Sequence, residues 1–248
     1  MIIKKDVFYT KVKDSNRTLD LYMPTAFNKV FIYFHGGGLE AGDKAKGVEF
    51  IQELVEKYSV AVITANYRMY PTAKYPQFLL DGASVVKWAF KNVQSSTSEP
   101  LKFFVGGSSA GGYISQMLCF NQSLLNKHGI SPTQITAYFH DAGQPTTHFN
   151  VLREHLTDTR RIIVDKRSSL YYVGTSQSYS PMIFIASTND MPCRLEQTIL
   201  AVKALNAFGH KNVELQIVDG THCEYVCKKD QNGSYLFANM IGEYISRF

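Results

Sequence analysis

The sequence lacks any apolar run long enough to span a membrane, and its first ten residues, MIIKKDVFYT, have charges with no apolar stretch behind them. A membrane-spanning helix needs about 20 consecutive apolar residues. A secretory leader needs an apolar segment after its basic start. We therefore expect neither a membrane span nor a secretory signal, and we expect a cytoplasmic protein if this start is complete.

Cysteine is also scarce, with four residues in a chain of 248: Cys119, Cys193, Cys223 and Cys227. So few cysteines in so long a chain do not build a dense disulfide framework. Cys223 and Cys227, with His222 beside them, are too sparse a set for a tetrahedral zinc site. The sequence therefore predicts reduced, structural thiols and no metal site.

Concentrated charge is missing as well. The formal net charge is +5, but the basic residues are spread along the chain in short clusters. A nucleic-acid binder more often has a continuous basic run, so we expect no nucleic-acid partner. Hydrophobic residues make up 45% and charged residues 19% of the chain, a balance that excludes disorder and allows a large core.

Strand-like and helix-like stretches alternate along the chain, which predicts an α/β fold with a mostly parallel central sheet and helices on both faces. An initial hairpin is expected over 7–12 and 19–22. Further strands are expected over 30–34, 60–65, 103–105, 135–139, 182–186 and 213–218. Helices are expected over 46–58, 75–93, 194–208 and 235–248. Another helix is expected to follow the glycine-rich stretch 106–112 and to end at about residue 120. We expect one domain over 1–248, with 144–180 as a cap-like excursion too short for its own core.

A G-x-S-x-G pattern, Gly107-Ser108-Ser109-Ala110-Gly111, lies directly between a predicted strand and a predicted helix. The pattern alone occurs by chance in roughly one such chain in ten, so its context decides its meaning. A strand-to-helix turn flanked by glycines is the nucleophile elbow of a serine hydrolase. Only Ser109 has glycines at both flanking positions, and we predict it as the nucleophile.

A second glycine-rich segment, His35-Gly36-Gly37-Gly38, follows the strand predicted over 30–34. Three glycines expose main-chain N–H groups, which can stabilise an oxyanion. A phosphate-binding loop is the alternative, but the segment lacks the Lys-Ser/Thr pair of a P-loop and the spacing of a dinucleotide fingerprint. The position of these glycines favours an oxyanion hole.

These two motifs, together with Asn66-Tyr67-Arg68-Met69-Tyr70-Pro71, resemble the hormone-sensitive-lipase-like carboxylesterase branch of the α/β-hydrolase superfamily. The resemblance covers most of the chain and implies the α/β-hydrolase fold. It also implies an oxyanion hole formed by the N–H groups of Gly37, Gly38 and Ala110. The sequence departs from this family at Leu39, where an aromatic residue is usual, and in lacking the N-terminal helical cap of larger members.

The order of a triad in this fold is serine, then acid, then histidine. His222 follows the last predicted strand and would lie at the same sheet edge as the elbow. His140 and His148 follow an earlier strand, which leaves no later strand to supply an acid in the correct order. We therefore predict His222 as the general base.

The acid should follow the strand predicted over 182–186, where Asp190 lies. Its role would be to hold the imidazole in the correct tautomer. Asp219 lies in the histidine loop itself, too local to support the ring, and Glu196 lies in the next helix. We predict Asp190 as the acid of the triad.

Together these residues predict a serine carboxylesterase that hydrolyses short-acyl esters of small molecules through an acyl-enzyme, with no cofactor. The excursion 144–180 is rich in charge, which is unlike the apolar lid of a lipase. An arylformamidase, a sugar-ester deacetylase or a small peptidase would use the same triad. A non-catalytic binding protein of this fold is a further alternative, although such proteins have lost the serine. The oligomeric state stays open.

Overall fold

The structure, a computed structural model, describes residues 1–248 and is built on one eight-stranded sheet. The strands are β1 (Ile2–Phe8), β2 (Thr18–Met23), β3 (Lys29–Phe34), β4 (Ala61–Ala65), β5 (Lys102–Ser108), β6 (Ala137–Asp141), β7 (Met182–Asn189) and β8 (Val213–Thr221). Their order across the sheet is β1-β2-β4-β3-β5-β6-β7-β8. β2 is antiparallel to both of its neighbours, and all pairs from β4 to β8 are parallel. The predicted α/β class with a mostly parallel sheet is confirmed.

Helices cover both faces of this sheet. They are α1 (Val48–Tyr58), α2 (Gln77–Asn92), α3 (Ala110–Phe120), α4 (Ser123–Asn126), α5 (Phe149–Glu154), α6 (Arg194–Ala207) and α7 (Leu236–Ser246). One apolar core lies between the sheet and α2, α3 and α6. A second core lies between the sheet and α1 and α7. The central strands β3, β4, β5 and β6 are mostly apolar and almost wholly buried because both of their faces are covered.

The initial hairpin is present, but its first strand lies earlier than we predicted. β1 covers Ile2–Phe8 rather than 7–12, and it pairs antiparallel with β2. All of its residues but one are exposed, so the strand has no buried face and no apolar alternation to mark it. Asp14 then accepts a hydrogen bond from the N–H of Asn16 and closes the polar turn between the two strands.

The last three strands, β6, β7 and β8, also differ at their ends from the predicted bounds. β6 begins and ends two residues later than 135–139, and β7 and β8 continue past 186 and 218 into polar residues. Asn189 of β7 still pairs with Thr221 of β8 at this edge. The two extended strands therefore bring the residues that directly follow them, Asp190 and His222, to one place.

The excursion 144–180 lies against the carboxyl-terminal edge of the sheet. It contains α5 and a short 3-10 turn, Leu170–Tyr172. Hydrogen bonds tie it to the elements beneath it: Tyr113 Oη donates to the carbonyl of Arg167 at 2.6 Å, and Tyr70 Oη donates to Glu154 Oε2 at 2.5 Å. None of the helices combines the length and the hydrophobicity that a membrane-spanning segment requires.

Candidate active site

Ser109 occupies a sharp turn between β5 and α3. Its φ of 55° and ψ of −111° lie outside the helical and extended regions, a conformation that costs energy for any residue with a side chain. The neighbouring backbone is packed so closely that a Cβ on Gly111 would lie 1.9 Å from the carbonyl oxygen of Phe34. Glycine at this position therefore allows the tight reversal that projects Ser109 from the sheet edge.

The three residues predicted for the triad form a continuous chain of hydrogen bonds. Ser109 Oγ lies 2.8 Å from His222 Nε2, and His222 Nδ1 lies 2.5 Å from Asp190 Oδ1. The side chain of Asp190 is 1% exposed, and that of His222 is 24% exposed. This arrangement lets the imidazole accept the serine proton while its other nitrogen donates to a carboxylate.

Asp190 is held in its ionised form. Burial alone would raise the pKa of its carboxyl, but the hydrogen bond and charge of His222 oppose this effect. The N–H groups of Met191 and Ser187 also donate to the carboxylate, at 2.7 and 3.3 Å. As a result the pKa of Asp190 lies below its ordinary value, so the group remains an acceptor at neutral pH.

Three main-chain N–H groups near Ser109 have no hydrogen-bond acceptor within the chain. The N–H groups of Gly37 and Gly38 donate to no other group of the chain. Ala110 is the first residue of α3, so its N–H has no acceptor within the helix. A Cβ on Gly36 would lie 3.2 Å from the Cβ of Ser109, which shows how closely this loop approaches the serine. Gly37 and Gly38 line the same cleft as Ser109, and Ala110 directly follows the serine, so these three N–H groups remain the predicted donors of the oxyanion hole.

The conformation of this loop depends on glycine and on a contact from the excursion. Gly37 has φ of 125°, and a Cβ there would lie 1.9 Å from the carbonyl oxygen of Ala41. The side-chain amide of Asn150, in α5, donates to the carbonyl of Gly38. This hydrogen bond from the excursion therefore fixes the orientation of the Gly38 carbonyl, next to the free N–H groups of Gly37 and Gly38.

The alternative histidines lie away from Ser109. His140 is fully buried, with Nδ1 at 2.9 Å from Ser115 Oγ, and burial lowers its pKa to about 3. His148 is also buried, and its Nδ1 accepts from the N–H of Asn150 at 3.2 Å at the start of α5. Both rings serve packing and local hydrogen bonds.

The alternative acids and the alternative serine are likewise engaged elsewhere. Asp219 is exposed and accepts a hydrogen bond from Thr188 Oγ1 at 2.8 Å. Glu196 is exposed on α6. Ser108 is buried, and its Oγ accepts from Tyr33 Oη at 2.9 Å. None of the three is hydrogen-bonded to His222.

Sequence reasoning missed a buried carboxyl beside the triad. Asp141 ends β6, is fully buried, and accepts a hydrogen bond from Tyr225 Oη. Burial raises its pKa to about 6, although hydrogen bonds from Ser108 and Tyr225 oppose the shift. Its position at the carboxyl end of a parallel strand is the signal that could have identified it, because ligands bind at that edge in α/β sheets.

A cleft of about 450 Å³ opens over Ser109. Apolar walls come from Phe50, Phe149, Met191 and Val226, and the cleft also contains Lys46 and Cys227. Its size suits a small organic molecule. No group of three or more His, Cys, Asp or Glu side chains is placed to hold a metal ion.

A family model described as "alpha/beta hydrolase fold" matches residues 31–215. The chain is 36% identical over 92 residues to a versiconal hemiacetal acetate esterase of Dothistroma septosporum, a match that covers 37% of this chain and 26% of that protein. It is 25% identical over 232 residues to the isoprenylcysteine alpha-carbonyl methylesterase of Arabidopsis thaliana, which covers 83% and 53% respectively. The chain thus spans less than two thirds of the length of either relative.

Solved structures match the whole chain. A truncated carbohydrate esterase from gut microbiota has a TM-score of 0.80 at 17% identity, and the match covers 100% of this chain and 96% of that one. An inhibited esterase B from Lactobacillus rhamnosis has a TM-score of 0.76 at 17% identity, covering 99% and 87%. At these identities the two structures show the shared fold.

Proposed function

Because the chain belongs to the α/β-hydrolase fold family, we propose that it is a serine carboxylesterase that hydrolyses short-acyl esters of small molecules. The observation that carries this proposal is the linked set Ser109, His222 and Asp190, with hydrogen-bond distances of 2.8 and 2.5 Å, facing free N–H groups. A nucleophile, a base and oxyanion donors at one point are the parts that acyl transfer requires. The esterase names of its relatives agree with this chemistry.

In the proposed reaction, Ser109 Oγ attacks the ester carbonyl carbon while His222 Nε2 takes its proton. The carbonyl oxygen becomes an oxyanion that accepts hydrogen bonds from the N–H groups of Gly37, Gly38 and Ala110. The imidazolium, stabilised by Asp190, returns the proton to the leaving alcohol. His222 then deprotonates a water, which attacks the acyl-enzyme and regenerates the free serine.

The preference for short acyl groups follows from the walls of the cleft. The cleft over Ser109 holds about 450 Å³, which limits the length of neutral acyl chain that it can cover. Each buried methylene contributes about 0.8 kcal/mol only where apolar surface covers it. Phe149 is the one residue of the excursion that lines this cleft, so the excursion adds a single aromatic side chain to the apolar cover of a long acyl chain.

A series of p-nitrophenyl esters tests this proposal. We expect kcat/KM to be greatest between acetate and butyrate and to fall steeply by octanoate. Equal or greater kcat/KM on palmitate, with activation at an oil–water interface, would contradict the short-acyl assignment. Including an aryl formamide and an acetylated sugar in the same panel separates the esterase from the two related hydrolases that use the same triad.

A further inference from the structure

A second cleft of about 310 Å³ adjoins the first and shares Phe149 and Met191 with it. Three arginines, Arg160, Arg161 and Arg194, line this second cleft, and none of its lining residues is acidic. Clefts that are lined by charge of one sign concentrate ligands of the opposite sign. Positive charge therefore accumulates beside the proposed catalytic centre.

Arg194 lies at the base of this second cleft and is only 4% exposed. Nη1 donates to the carbonyl of Ala142 at 2.5 Å, and Nη2 donates to Gln144 Oε1 at 3.2 Å. No carboxylate forms an ion pair with it within 4.0 Å, and nearby Asp190 is paired with His222. Buried charges in proteins are normally paired, but Arg194 is a desolvated cation without a direct ion pair, attracted by Asp190 only from beyond 4.0 Å.

The other two arginines lie at the mouth of the second cleft. Arg160 is exposed and forms an ion pair with Asp158 at 2.6 Å. Arg161 is exposed and has no ion pair. Both stand on the excursion, opposite Arg194 at the start of α6. Arg161 can therefore turn toward an anion that enters the cleft without giving up an existing partner.

Neutral groups complete a surface that suits an organic anion. Gln197 lines the second cleft, and its Oε1 accepts from Thr146 at 2.7 Å, while its Nε2 has no acceptor in the chain. Ile162 and Pro192 provide apolar contact for the carbon skeleton. Guanidinium groups bind carboxylates and phosphates through paired N–H groups.

We propose that this second cleft binds an anionic carboxylate or phosphate group of the substrate, so that the preferred ester carries that group on the arm that extends past Phe149 and Met191. This inference rests on the proposed esterase function. It narrows the substrate class from neutral short-acyl esters to esters with a negatively charged end. The neutral end of the molecule occupies the cleft over Ser109.

Matched pairs of esters that differ only in charge test this inference. The first pair, 4-nitrophenyl glutarate and 4-nitrophenyl glutaramate, places the anion on the acyl arm. The second pair, 3-acetoxybenzoate and 3-acetoxybenzamide, places it on the alcohol arm. We expect kcat/KM to favour the anionic member of one pair by about 10- to 100-fold, the usual effect of charge-assisted hydrogen bonds. A phosphate in place of the preferred carboxylate then shows which anion binds better.

Variants locate the source of any preference. Arg161→Gln removes an exposed, unpaired charge, so it should leave the fold unchanged and reduce the anionic preference several-fold. Arg194→Gln should remove most of the preference, provided that its melting temperature shows a folded protein. Arg247→Gln, an exposed arginine on the far helix end, is the matched control and should leave the preference unchanged.

The outcomes separate this inference from the proposed function. Hydrolysis of 4-nitrophenyl acetate by the wild-type protein and by Arg247→Gln at similar rates shows that the esterase chemistry is intact. With that activity present, equal kcat/KM within both pairs would overturn the inference, as would a preference that Arg161→Gln and Arg194→Gln both retain. Absence of any ester hydrolysis would instead contradict the proposed function.

Discussion

Asp190 allows a sharp test of how the imidazole is oriented. Its Oδ1 lies 2.5 Å from His222 Nδ1, and its side chain is 1% exposed, so the carboxylate acts on the ring without competition from water. Asp190→Asn keeps the size of the side chain but removes its charge. If the new amide donates to Nδ1, the ring proton moves to Nε2, which then cannot accept the proton of Ser109.

The expected loss in kcat is about 10²- to 10⁴-fold, which corresponds to about 3 to 5 kcal/mol of transition-state stabilisation. Asp219→Asn is the matched control, because Asp219 lies near the end of β8 and accepts a hydrogen bond from Thr188 rather than from His222. That control should lose less than about threefold, as expected for an exposed hydrogen bond outside the reacting groups.

Steady-state hydrolysis of 4-nitrophenyl acetate measures both variants, and thermal unfolding shows whether each is folded. The KM should change little in Asp190→Asn, because Asp190 does not line the cleft over Ser109. A severe loss in Asp219→Asn together with near-normal turnover in Asp190→Asn would refute the assignment of the acid and the orientation argument with it.

Two further predictions concern the oxyanion loop and the buried carboxyl. Gly37→Ala places a Cβ 1.9 Å from the carbonyl oxygen of Ala41. It should lower kcat about 10²- to 10³-fold, because the loop must shift and move one N–H donor of the oxyanion hole. Gly209→Ala is the control and should retain activity, because a Cβ there meets no atom within 4 Å. Normal turnover by Gly37→Ala would argue against this oxyanion hole. Burial raises the pKa of Asp141 to about 6 from 3.8, so the folded protein holds a proton that the unfolded chain releases between these values. Wild-type stability should therefore fall by about 2 kcal/mol relative to Asp141→Asn as pH rises from about 4 to 6, measured by urea unfolding, and parallel pH profiles would contradict this.

The sequence was most informative where function depends on local backbone geometry. A turn as tight as that of Ser109 requires glycine on both sides, so the glycine spacing of the motif by itself predicts this turn. The order of strands along the chain alone predicts that Asp190 and His222 lie at the same edge of the sheet. These inferences needed only neighbouring residues and the rules of parallel sheets.

Features that depend on distant packing could not be read in this way. β1 is an exposed edge strand without apolar alternation, and the ends of β7 and β8 are polar, so hydropathy alone misplaced their bounds. Arg194 looks like any first-turn residue of a helix, yet the excursion and the β6 edge bury it. Burial of a polar side chain is decided by segments far along the chain, which local patterns do not report.

The most direct test of the central claim is to identify the residue that forms the covalent adduct. The protein is treated with a fluorophosphonate probe, digested, and analysed by mass spectrometry. We expect one adduct on Ser109, lost in Ser109→Ala and retained in Ser108→Ala, with both variants folded. An adduct on another residue, or ester hydrolysis by Ser109→Ala at the wild-type rate, would contradict the assignment of Ser109 as the nucleophile.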